Sequence, residues 1–110
     1  MADTFKVLGQ SKPAGNTLTD LYTVPGATSA AVSSLVACNQ SSTGSCKVRV
    51  SVAVAGAVDA VAQYIVYDAL LVPNETKSFV IGITLATTDV VRVLSDCGQA
   101  SFNLFGVQVT

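Results

Sequence analysis

Cys38, Cys46 and Cys97, six aspartates and four lysines are the side chains of this sequence whose chemistry goes beyond packing. There is no histidine, which removes the commonest general base and the commonest zinc ligand together. Ser-His and Cys-His nucleophile arrangements are therefore excluded. A Ser-Lys pair stays open, but none of the lysines sits in a recognisable motif, so no catalytic residue is assigned and the chain is expected not to be an enzyme. Three cysteines cannot all pair with one another. Cys38 and Cys46 flank the polar loop NQSSTGS, where a hairpin would bring them opposite each other for a cross-strand disulfide. A reducing cytosol would keep them as free thiols instead. A three-thiolate metal site lacks a fourth ligand and any C-x-x-C spacing, so no metal or other cofactor is expected.

Asp20, Asp59, Asp68, Asp89 and Asp96 fall at strand ends and turns without the spacing of a calcium loop, and capping of turns is their expected role. Tyr22, Tyr64 and Tyr67 lie in β patterns, where aromatics pack; a sugar platform built on Tyr64 and Tyr67 is a minor alternative. Lys47 and Arg49 share a strand face, but two cations without neighbouring stacking residues give little phosphate affinity, and no nucleic acid partner is expected. Only 12% of residues are charged, with a net charge of −1, while 50% are hydrophobic and the mean hydropathy is +0.55. So weakly defended a surface suggests that part of it is covered by copies of itself or by a partner, the alternative being a polar, uncharged monomer surface built on Ser and Thr. No leader and no apolar run of about 18 residues is seen, so no membrane partner is expected and synthesis is placed in the cytosol.

The elements that position these residues are strands. Phe79, Ile81, Ile83 and Leu85 alternate with Val80, Gly82 and Thr84, and after Ala86-Thr87-Thr88-Asp89 the pattern resumes with Val91 and Val93 inward and Arg92 outward. This reads as a hairpin. Val48, Val50, Val52 and Val54 alternate with Lys47, Arg49, Ser51 and Ala53 as a strand with one wet face. Further strands are expected near Phe5 to Leu8, Leu18 to Val24, Ala30 to Asn39, Gln63 to Asp68 and Ser101 to Thr110, with a short helical turn in the alanine-valine tract before Gln63. Pro25-Gly26 suits the centre of a type II turn. In the last strand Phe102 and Leu104 have one parity and Phe105, Val107 and Val109 the other, which a β-bulge at Gly106 would reconcile. Asn39-Gln40-Ser41 and Asn74-Glu75-Thr76 match glycosylation acceptors but are read as loops. Turn signals every eight to twelve residues predict an all-β chain, an antiparallel β-sandwich or jelly-roll-like single domain over residues 17–110, preceded by an N-terminal arm and loop over residues 1–16.

Several segments together resemble small structural proteins of tailed phages, particularly those infecting cyanobacteria and marine bacteria. They are Leu21-Tyr22-Thr23-Val24-Pro25, Cys38-Asn39, Gln63 to Asp68, Gly82-Ile83-Thr84-Leu85, Asp89 to Val93 and Ser101 to Gly106. Proteins of this kind usually carry Gly-Asp where the turn ends, and here the pair is Thr88-Asp89. The resemblance implies a virion component without enzyme activity. It implies foremost a capsid cement (decoration) protein on the outer head surface, trimeric and bridging subunits of the major capsid protein. A tail, neck or fibre component is the alternative, and a carbohydrate-binding sandwich a third. Position in the chain points to Phe5 and the Gly9 to Asn16 loop for capsid contact and to Val107 and Val109 for core or trimer packing, with Lys6, Lys12 and Pro13 among the capsid or self-association contacts.

Overall fold

The computed structural model describes residues 2–110. Its strands are β1 (Asp3–Ser11), β2 (Thr19–Thr23), β3 (Ser29–Asn39), β4 (Cys46–Ala53), β5 (Tyr64–Leu71), β6 (Thr76–Phe79), β7 (Ile83–Leu85), β8 (Val90–Ser95) and β9 (Ala100–Val109). Two short 3-10 turns, Val54–Gly56 and Val61–Gln63, stand between β4 and β5, where the alanine-valine tract interrupts the alternation. No helix of the described residues is long and apolar enough to cross a membrane.

One sheet has the order β1-β9-β3-β6, with β7 pairing β3 further along, and the other has the order β2-β8-β4-β5. β6 and β7 run along the same edge of β3 as one strand interrupted at Val80–Gly82. The antiparallel pairs β1·β9, β2·β8, β3·β6/β7 and β4·β5 form one long ribbon that folds over at residues 54–63. Successive rungs of this ribbon fall in alternate sheets. That wrapping is the jelly roll, a closed two-layer solution for a chain of short alternating strands.

Between the sheets lies the core. Phe102 and Leu104 of β9, Leu35 of β3, Val48 and Val50 of β4, Leu71 of β5 and Val91 and Val93 of β8 are all buried at 2% exposure or less. The inward valines expected of β4 and β8 are therefore the ones observed. Val52 also packs against the core, and Ser51 and Ala53 take the outer face, yet both are completely buried. They are covered because residues 54–63 fold back over that face, where Arg92 donates from Nη1 to the Ala57 carbonyl at 2.8 Å.

Several expectations are corrected. Residues 79–85 and 90–94 do not form a hairpin: β7 pairs with β3 in one sheet and β8 lies between β2 and β4 in the other. The intervening turn crosses between the layers. Alternation reports which side of a strand is buried and carries no information on its partner. The first residues are not a separate arm, since β1 pairs with β9 from Asp3↔Val109 to Ser11↔Phe102. Nor does β9 bulge at Gly106. It keeps one parity throughout, and its neighbours bulge instead, β1 between Val7 and Gly9 and β3 between Val32 and Ser34. Gly106 permits this close approach: a Cβ there would stand 2.2 Å from the Ala31 carbonyl oxygen and 3.0 Å from Val32 Cα. Asn39 ends β3, as the strand expected over Ala30 to Asn39 has it, and not the loop read from its glycosylation match; it is buried and its Nδ2 donates to the carbonyls of Gly44, Leu71 and Val72.

The disulfide also differs from the one expected. Cys46 bonds to Cys97, with Cα atoms 5.3 Å apart, and Cys38 is free. Residues 40–45 pass from β3 in one sheet to β4 in the other, so Cys38 and Cys46 never face each other across a ladder. Cys97 lies in the β8–β9 turn, which closes onto the start of β4: Asp96 N–H donates to the Lys47 carbonyl and Lys47 N–H to Asp96 Oδ1.

Candidate interaction surface

The outer faces of the two sheets differ in chemistry. On the four-stranded sheet, β5 carries an extra residue opposite Arg49, so that Val48 pairs with Ala69 and Val50 with Val66. Asp68 adopts φ 55° at this bulge. Tyr67 and Asp68 consequently both reach Arg49. Its guanidinium binds the carboxylate in two places, Nε to Oδ1 at 2.6 Å and Nη2 to Oδ2 at 3.2 Å, and lies 4.0 Å from the centroid of the Tyr67 ring. Tyr64 meets Tyr67 edge-on at 5.3 Å and donates its hydroxyl to Asp59.

The charges in this cluster satisfy one another. The hydrogen bond from Arg49 holds the Asp68 carboxyl below the usual carboxylate range, and the same bond raises the guanidinium. Burial, then the bond to Asp59, pushes the Tyr64 phenol up. Beside the cluster Asn16, Lys47, Leu94 and Asp96 complete a polar groove of about 230 Å³. The aromatic neighbour of Arg49 was not visible as such in the sequence, because the extra residue in β5 brings it into reach. Arg49 occupies a face of Tyr67 that a stacked sugar or base would need.

The five-stranded sheet instead presents apolar side chains. Outward-pointing positions of β9 hold Phe105, Val107 and Val109, all only half-buried, and β1 sets Phe5 opposite Val107 and Val7 opposite Phe105. Phe5 is 83% exposed. Where β1 and β3 bulge around Gly106, the face is concave: a groove of about 390 Å³ lined by Phe5, Lys6, Ala31, Ser33, Phe105 and Val107 among others. Lys6 is its single charge. Burying apolar surface of this kind stabilises an interface by about 25 cal/mol per Å² before the costs of association.

Of the residues singled out from the sequence, Phe5, Lys6 and Val107 meet in this groove, from two strands far apart in the chain. Val109 continues the same stripe, opposite Ser29 and Asp3. Lys12 and Pro13 lie apart, beyond the other end of β1; Lys12 is exposed and Pro13 is buried. Among the described residues, one group of side chains has the spacing of metal ligands, Cys46, Asp96 and Cys97. Its two sulfurs are bonded to each other, so they are not available as thiolates.

The residues that sequence reasoning missed are Val54, Val58 and Val61, which stand 71%, 88% and 86% exposed on the loop where the ribbon folds over. The signal was present as a valine every three or four residues in a tract with one charge, Asp59.

No protein-family model matches the chain, and no curated protein is similar enough in sequence to count as a relative. The fold and its surfaces therefore define the molecule: a disulfide-stapled jelly roll whose charged cluster is internally satisfied and whose other sheet bears an uncovered apolar groove.

Proposed function

We propose that the protein is a non-catalytic structural component of a phage virion, a cement protein that decorates the outer head surface as a multimer. The observation that carries this reading is the apolar groove around Phe5, Phe105 and Val107 on a chain with so few charges, because exposed apolar surface of this kind is suited to contact with another protein. The resemblance of its segments to small virion proteins supplies the setting. A disulfide-linked jelly roll is suited to a static, repeated contact. Modest affinity per copy suffices when many copies act together over a shell.

In this reading the outer face of the five-stranded sheet serves self-association. The loop after β1, with exposed Lys12, faces away from the groove along the strand and contacts the major capsid protein. The test is co-sedimentation of the purified protein with heads that lack it. Saturable binding that Lys12→Glu weakens and that raises the temperature at which heads release DNA is expected. Failure to bind heads at any concentration removes the cement role.

A further inference from the structure

Among the described residues the groove has no occupant, and the molecule presents an exposed apolar loop that matches it. Residues 54–63 form the tip of the folded ribbon, and the valines on it are the most exposed apolar side chains outside the N-terminal segment apart from Val80. The tip is held in place from several sides. Asp89 Oδ1 accepts from Ala55 N–H at 2.9 Å, Arg92 donates to the Ala57 carbonyl, Gln63 Nε2 donates to the Val58 carbonyl at 3.0 Å, and Tyr64 donates to Asp59 at 3.0 Å. A loop so braced loses little conformational entropy when it docks.

Tip and groove complement each other in form and charge. The tip exposes Val54, Val58 and Val61 and carries Asp59 as its single charge; the groove is concave, apolar and carries Lys6 as its single charge. They belong to different sheets of one molecule, since the tip packs on β4 and β8 and the groove is lined by β1, β3 and β9. The tip of a chain therefore cannot fill its own groove. We infer that the valine tip of one copy, through Val58 and Val61, seats in the Phe5–Val107 groove of a second copy with Asp59 beside Lys6. The contact is heterologous: each subunit gives a tip and receives one, so repetition closes into a ring when the rotation permits and otherwise extends as a chain.

This inference needs the groove to be a contact surface and is independent of any particle the protein decorates. Sedimentation velocity of the full chain tests it with two variants, Val58→Asp, which spoils the tip, and Val107→Asp, which spoils the groove. The wild type is expected to sediment as an oligomer and each variant alone as a monomer, with association weakened at least 100-fold. Mixed together, the variants should form a one-to-one complex and nothing larger, because one intact tip and one intact groove remain. Charge reversal checks the contact without touching the apolar residues: Lys6→Glu and Asp59→Lys should each weaken association about tenfold, and the double variant should recover it. A wild-type oligomer whose variants do not complement each other would overturn the tip-in-groove contact. A wild type that is monomeric at its highest soluble concentration, with Val107→Asp losing attachment to heads, would overturn it too and assign the groove to the shell.

Discussion

At the scale of single residues, the fold rests on a few positions whose neighbours leave no alternative. Asp89 is one. Its carboxylate accepts from the N–H groups of Ala55 and Ala86, and its carbonyl from Val24 N–H, so it joins the ribbon tip, the β7–β8 turn and the end of β2. Asp89→Ala leaves two such donors without a partner and should lower unfolding free energy by roughly 2–4 kcal/mol in urea titrations. Thr88 beside it adopts φ 69°, a left-handed conformation that a β-branched side chain disfavours. Glycine, which lacks a Cβ, adopts this conformation without that cost. Thr88→Gly should therefore stabilise the protein, by about 1 kcal/mol. Such positions were the least legible in the sequence. Left-handed backbone falls on Ala27, Ala55, Asp68 and Thr88, and Pro25-Gly26 places it on Ala27 instead of the glycine. Turn readings that look for glycine miss these sites.

The Arg49 cluster gives the residue scale a pH signature. Asp68 is held below its ordinary value in the fold, so the folded chain binds fewer protons there than the unfolded one. Its contribution is complete above the ordinary carboxylate value of about 3.9 and is lost as pH falls through the lower folded value. Tyr64 has the opposite sign: its contribution holds below about 10 and is lost as pH rises through the raised folded value. Asp68→Asn should flatten the acid limb of a stability profile and Tyr64→Phe the alkaline limb, as followed by thermal melts across pH. Equal acid limbs for wild type and Asp68→Asn would show that the bidentate pair is not maintained in solution.

Among the elements, the disulfide is the strongest single constraint. It closes a loop across 51 residues and fastens the β8–β9 turn to the start of β4. Chain entropy assigns such a closure roughly 4 kcal/mol, an upper figure when the reduced chain keeps structure. Cys97→Ser, or reduction, should lower stability by about 2–4 kcal/mol, whereas Cys38→Ser should leave the response to reductant unchanged. The pairing was illegible beforehand because it joins two elements that only the wrapping of the ribbon brings together. The strands themselves were legible, down to the inward valines of β4 and β8, since burial on one face writes a period of two into the sequence. What alternation omits is the partner, which is why β7 and β8 read as a hairpin. Removal of residues 1–11 would strip β1 from β9 and expose a long apolar edge, so such a truncation should aggregate. Point changes at Lys12 are the cleaner probe of that end.

For the whole molecule, low charge and high hydropathy anticipated a covered surface without saying where it lies. The jelly roll shows where apolar side chains stand uncovered. It sets Phe5 beside Val107 and exposes the valine tip at the opposite end of the ribbon. A repeated, neutral, apolar contact fits a lattice of identical units better than a steered encounter with a charged ligand. The most direct test of the virion reading is the number of copies of this chain per purified particle, measured by quantitative mass spectrometry against the major capsid protein. A ratio near one copy per capsid subunit, or a simple fraction of it, is the predicted result. A few copies per hundred capsid subunits would place the protein in the tail or neck, and absence from the particle would contradict the account.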